Sequence, residues 1–246
     1  MKLASSFPFV LAAAVSLTLT ACGGDSPGSS ASPSSTPSVI ATPADSTPTE
    51  TPTETGPVKR TKTELTKALL NLKDLPSGFS TETDGHTLAF SAPTSKCKTL
   101  VKHLNADEAQ DSKASANSSF TAGQEGPYLD FRLDSMNTSK AVGKLLTSYR
   151  EAVASCKKVT LRFNGQGSTS MDVVELQAPE FGDTPFAFKL TGVSGPKKGL
   201  EFATAVSGIG DVALTVAILA GQPGELDSAT EAAVEKARIV LEKPAG

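Results

Sequence analysis

From Val58 onward, apolar residues recur either three and four apart or at every second position, and these two periods divide the chain into helices and strands. Thr61-Lys62-Thr63-Glu64 has the form of a capping box. Leu65, Ala68, Leu69 and Leu72 follow it at helical spacing, predicting a first helix that stops before Pro76. Pro76-Ser77-Gly78 is a turn and Thr87 to Ser91 a short strand. A second helix starts near Thr94 or Ser95, with Cys97, Leu100, Val101 and Leu104 on one stripe. Strands are predicted at Ser118 to Ala122 and at Tyr128 to Asp134, where Leu129, Phe131 and Leu133 alternate with Tyr128, Asp130 and Arg132. A third helix runs from about Thr138 to Ser155, with Val142, Leu145, Leu146, Tyr149 and Val153 on its apolar face and Cys156 continuing that stripe.

The carboxyl-terminal half is a succession of strands: Lys158 to Phe163, Met171 to Gln177, Pro185 to Val193, Gly199 to Ser207 and Asp211 to Ala220. The connections between them are too short for crossover helices, so the pairing is antiparallel. A final helix is predicted from a capping box at Ser228-Ala229-Thr230-Glu231, burying Ala233, Ala237, Val240 and Leu241 and ending before Pro244. The expected fold class is α+β: a single, largely antiparallel β-sheet flanked by about four helices.

The amino-terminal 57 residues follow neither period. Lys2 precedes a mostly apolar stretch from Phe7 to Leu19, short of the about 20 residues a membrane helix needs. Residues 1–21 are expected to form a signal peptide. Leu19-Thr20-Ala21-Cys22 resembles the bacterial lipobox, which implies cleavage before Cys22, a lipid on that cysteine, and a location on the extracytoplasmic face of the cell membrane. The alternatives are an ordinary secretory signal with an incidental cysteine, or an uncleaved anchor. Residues 22–57 are almost wholly Ser, Thr, Pro, Gly, Ala and acidic residues and bury too little to offset ordering entropy. They are expected to be a disordered linker reaching on the order of 30 Å as a flexible coil. Residues 58–246 are then one domain's worth of chain.

With Cys22 assigned to lipid, Cys97 and Cys156 form the one possible intrachain pair, and an exported chain allows disulfides to persist. A Cys97–Cys156 disulfide is expected, with two separate buried thiols as the alternative. The 23 basic and 26 acidic side chains nearly balance, with no basic stripe, which argues against a nucleic-acid partner.

The sequence Tyr149-Arg150-Glu151-Ala152-Val153-Ala154-Ser155-Cys156-Lys157-Lys158-Val159-Thr160-Leu161, the strand Asp211-Val212-Ala213-Leu214-Thr215-Val216 and the closing helix resemble the extracytoplasmic sensor domain of the mycobacterial H-type serine/threonine kinase. Similar domains occur in free-standing actinobacterial lipoproteins, and Asp74-Leu75-Pro76-Ser77-Gly78-Phe79 is similar to their opening. The resemblance implies one antiparallel sheet with helices around it, a cleft for a ligand, and no enzymatic activity. The chain departs from the kinase pattern in lacking a second cysteine pair, a kinase domain and a membrane helix.

Candidate chemistry is sparse. Gly208-Ile209-Gly210-Asp211-Val212-Ala213 matches a dinucleotide fingerprint formally, but a strand follows it where that fingerprint opens a helix, so a hairpin turn is expected. Ser95 to Lys98, Ser155 to Lys158 and Ser194 to Lys197 have Ser-x-x-Lys spacing without the companion motifs of penicillin-recognising enzymes. His86 and His103 stand outside any cluster at metal spacing and are expected to be solvated surface residues. No catalytic residue, metal site or cofactor is nominated. The sheet is expected to bury one face and to present Tyr128, Asp130, Arg132, Arg162, Lys189 and Glu201 on the other, either as a solvated ion-paired surface or as the floor of a cleft. For the cleft, Arg132 and Arg162 are candidate anion holders, with Tyr128 and Lys189 beside them. The expected function is a membrane-anchored, non-enzymatic module binding an envelope ligand or partner protein. A hydrolase with a dispersed site and a structural surface protein are the alternatives.

Overall fold

The structure is a computed structural model that describes residues 58–83, 88–163 and 167–242, all within the compact unit Thr51–Gly246. Cys22, the expected signal peptide and linker, and His86 lie outside the described residues. The described residues form one nine-stranded antiparallel sheet and four α-helices, the α+β class expected. The strands are β1 (Ser80–Thr81), β2 (Ala89–Ser91), β3 (Ala114–Thr121), β4 (Tyr128–Ser135), β5 (Lys158–Phe163), β6 (Gly167–Leu176), β7 (Asp183–Ser194), β8 (Glu201–Ile209) and β9 (Val212–Leu219). They lie in the order β1-β3-β4-β9-β8-β7-β6-β5-β2. The helices are α1 (Lys62–Ala68), α2 (Lys98–Leu104), α3 (Ser139–Ser155) and α4 (Glu225–Leu241).

Both faces of the sheet are half covered, which departs from the expectation of one buried and one polar face. Helices α2 and α3 close a core on one face with Phe186, Phe188, Val159, Leu161 and Met171. Helices α1 and α4 close a second core on the other face, over Phe131, Leu133, Leu214 and Val216. The two helix pairs are offset along the sheet, so each leaves the opposite end of its own face uncovered. Alternation along a strand then dictates which polar residues meet water, and where.

Local chemistry shifts several boundaries. Thr61 and Glu64 do form the capping box of α1, but the helix ends at Ala68. A second cap competes with its continuation: Asn71 accepts from the Lys73 amide at 2.9 Å, and its own amide donates to Asp74 at 2.7 Å. Leu72 therefore sits in a 3-10 turn and is exposed, not on an apolar helical stripe. The final helix starts at Glu225, ahead of the expected box. Ser228 and Thr230 donate to the carbonyls of Gly224 and Leu226 one turn back, while the Gln222 amide donates to Glu225 at 2.7 Å.

Cys97 and Cys156 are disulfide-bonded, with Cα atoms 4.7 Å apart, and pin the start of α2 to the end of α3. The Gly208–Ala213 segment is a hairpin: Gly210 and Asp211 turn between β8 and β9. Asp211 accepts from Arg60 at 3.0 Å, and Arg60 also donates to the Leu241 carbonyl at 2.9 Å, tying the domain's opening residues to that turn and to the end of α4.

Candidate functional site

The uncovered end of the α2/α3 face is a cleft. Strands β3, β4, β9 and β8 form its floor, and α2 with the segment after it forms one wall, enclosing about 380 Å³. That volume lies within the range of small-molecule sites. Asn117 and Ser119 of β3, Asp130 and Arg132 of β4, Thr215 of β9 and Thr204 of β8 share this face because Asn117 pairs with Arg132, Arg132 with Thr215, and Thr204 with Ala217 in register. Leu88, Phe90, Leu104 and Phe202 supply an apolar side.

Arg132 is held from three directions. Its Nε donates to Asp134 at 2.8 Å, Nη1 to the Ala106 carbonyl at 2.6 Å and Nη2 to the Tyr149 hydroxyl at 3.5 Å. Asp134 is fully buried, and its second oxygen accepts from the Ala109 amide at 3.0 Å. The pair therefore ties the loop after α2 to the sheet. Asn105 fixes the same wall by clamping Phe90, accepting from its amide at 2.9 Å and donating to its carbonyl at 2.8 Å.

His103 is not the solvated residue expected. It stacks on Tyr149 with ring centroids 4.2 Å apart, and its Nε2 lies 3.0 Å from Ser148 Oγ. Burial, and then the charges of Arg132 and Lys102, hold the imidazole below its ordinary value, so it is neutral at neutral pH. Burial pushes the Tyr149 phenol up, against the opposing influence of Arg132. The signal that links α2 to α3 here is the disulfide. Cys97 lies in the turn that opens α2 and Cys156 caps α3, so the bond holds α2 beside α3, where His103 meets Tyr149.

His103 and Ser148 have the distance of a base and a nucleophile, but the setting does not complete such a site. Ser148 lies inside α3, where backbone amides are committed to the helix and cannot form an oxyanion hole. Among the described residues, no carboxylate is bonded to the imidazole, and no group of His, Cys, Asp and Glu could hold a metal ion.

The four sequence-nominated residues do not share one site. Tyr128 and Arg132 face the cleft side, whereas Lys189 and Arg162 face the other. Leu161, which pairs with Phe90, points into the α2/α3 core, so Arg162 must point away, and Lys189 faces Ala203 and Val174. Of the four, only Arg132 lines the cleft; the Tyr128 hydroxyl donates to the Gln124 carbonyl. Lys189 pairs with Glu201 at 2.7 Å beneath the start of α4. Asn117, Ser119, Thr204 and Thr215 were not nominated because short neutral side chains on alternating strand positions carry no charge signal.

The architecture has a counterpart among solved structures. The crystal structure of the extracellular domain of PknH from Mycobacterium tuberculosis superposes with a TM-score of 0.54 at 15% identity, covering 74% of this chain and 98% of that one. No family model and no curated protein matches the sequence. At this identity the likeness shows the fold, and the cleft has to be judged from its own residues.

Proposed function

We propose that the protein is a lipid-anchored, extracytoplasmic, non-enzymatic module that binds a small ligand in the cleft between β3/β4 and α2. The observation that carries this reading is the construction of the cleft. A polar floor and an apolar side converge on one volume, and the wall is fixed by a disulfide, a buried ion pair and the Asn105 clamp. Rigid positioning of a few polar groups in a largely formed pocket is what small-molecule binding requires. The fold shared with a kinase's extracellular domain supports a sensor-like role, and among the described residues no helix is long and apolar enough to cross a membrane.

The anchor half of this reading is tested at Cys22. Cys22→Ala should release the chain from the membrane fraction, because stable anchoring needs acyl chains whose buried methylenes each contribute about 0.8 kcal/mol. Sedimentation of the variant with membranes in high salt contradicts a lipid anchor at this residue. The binding half is tested by closing the cleft with Asn117→Trp.

A further inference from the structure

We infer that the cleft selects an uncharged, hydroxyl-rich ligand carrying a short apolar arm, of the alkyl glycoside class, and rejects anions. This inference rests on the cleft being the binding site and concerns what it accepts. The lining holds one cation, Arg132, against two carboxylates, Asp107 and Asp130, and a third carboxylate, Asp134, lies directly behind the cation at 2.8 Å. Arg132 is thus already neutralised by a buried partner, and the surplus charge on the cleft is negative. An arginine built to hold an anion presents its fork to the ligand. Here the Nε edge of that fork is given to Asp134, one donor to the Ala106 carbonyl and one to Tyr149. Its remaining N–H groups suit a hydroxyl oxygen.

Thr204 points to the same chemistry independently. It is 3% exposed, lines the cleft, and its Oγ1 has no hydrogen-bond partner among the described residues. A buried hydroxyl without a partner is costly, and a ligand hydroxyl can both donate to it and accept from it. Asp130, which accepts from Ser119 at 2.5 Å, and the Asn117 amide add acceptor and donor capacity at the rim. Carboxylate, amide and guanidinium groups bond vicinal hydroxyls, and Leu88, Leu104 and the Phe90–Phe202 pair, 5.7 Å between centroids, give the apolar arm its surface.

The test is titration of the full mature protein, followed by amide NMR shifts, with three probes below their micellar concentrations. These are n-octyl β-D-glucopyranoside, n-octyl β-D-glucuronide, which differs by one carboxylate, and methyl β-D-glucopyranoside, which lacks the arm. The octyl glucoside is expected to shift the amides of Asn117, Arg132, Thr204 and Thr215, with the glucuronide and the methyl glycoside each about tenfold weaker or more. Thr204→Val should weaken the octyl glucoside about two- to tenfold. Asp130→Asn should narrow the gap between the glucoside and the glucuronide. Glucuronide binding in the cleft as tightly as glucoside overturns the charge assignment and leaves the cleft as a binding site. Equal binding of the methyl and octyl glycosides overturns the apolar arm. If none of the three shifts the cleft amides, this ligand class is overturned, while the binding role of the cleft is decided separately by the Asn117→Trp variant.

Discussion

Asp134→Ala is expected to destabilise the domain by about 3 to 5 kcal/mol, because it removes one partner of a buried ion pair and leaves the other uncompensated. The magnitude follows from burial: Asp134 is wholly enclosed, and the Arg132 side chain is only 15% exposed. The same substitution strips the Ala109 amide of its acceptor, so the loop after α2 loosens together with the floor. Thermal unfolding should show a midpoint lower by on the order of 10 °C. Adding Arg132→Met should recover part of the loss, since the stranded charge is then gone while the Ala109 amide stays unpaired. A loss below about 1 kcal/mol would mean that the pair behaves as a surface salt bridge and does not anchor the cleft.

Replacing both Cys97 and Cys156 with Ser is the second large effect. The bond closes a sequence separation of 59 residues, and the chain-entropy account assigns about 4 kcal/mol to a loop of that size. The consequence is not confined to stability. Helix α2 has only seven residues, too few to be stable alone, and it carries His103 and Leu104 of the cleft wall. Without the bond, hydrogen exchange in α2 should rise ahead of exchange in β4 and β9, and the His103–Tyr149 stack should loosen. Uniform exchange across α2 and the central strands, with an unchanged melting midpoint, contradicts the role assigned to the disulfide.

These two features differ in how far the sequence disclosed them. The disulfide was legible because Cys97 and Cys156 are the pair left once Cys22 is assigned to lipid, and because each stands at the end of a predicted helix: Cys97 in the 3-10 turn that leads into α2, Cys156 at the cap that ends α3. The strands were legible wherever large apolar residues alternate, as in β4 and β5, and β5 is found with the bounds expected. Strand β3 was half legible. Its first residues, Ala114 to Asn117, are small or polar because one side faces the cleft, so their alternation has no hydrophobic contrast. The Arg132–Asp134 pair was hidden for a different reason. A two-residue spacing on a strand puts both on one face, but only the offset of the helix pairs decides whether that face is wet, and offset is a tertiary property. That offset also separated Arg162 and Lys189 from Arg132: equal charge signals on separate strands of one sheet carry no mark of which face each occupies.

The central claim is that this cleft is where the protein binds. It is tested most directly by the melting temperature of the mature chain and of its Asn117→Trp variant, each with and without the low-molecular-weight fraction of an envelope extract. Asn117 is exposed at the mouth of the cleft, so an indole there blocks the volume while changing intrinsic stability by about 0.5 kcal/mol or less. The account predicts that the extract raises the midpoint of the unmodified protein, as a ligand at a hundredfold excess over its Kd stabilises by about 2.7 kcal/mol, and leaves the variant unmoved. An equal rise in both proteins would place binding elsewhere and contradict the assignment of this cleft.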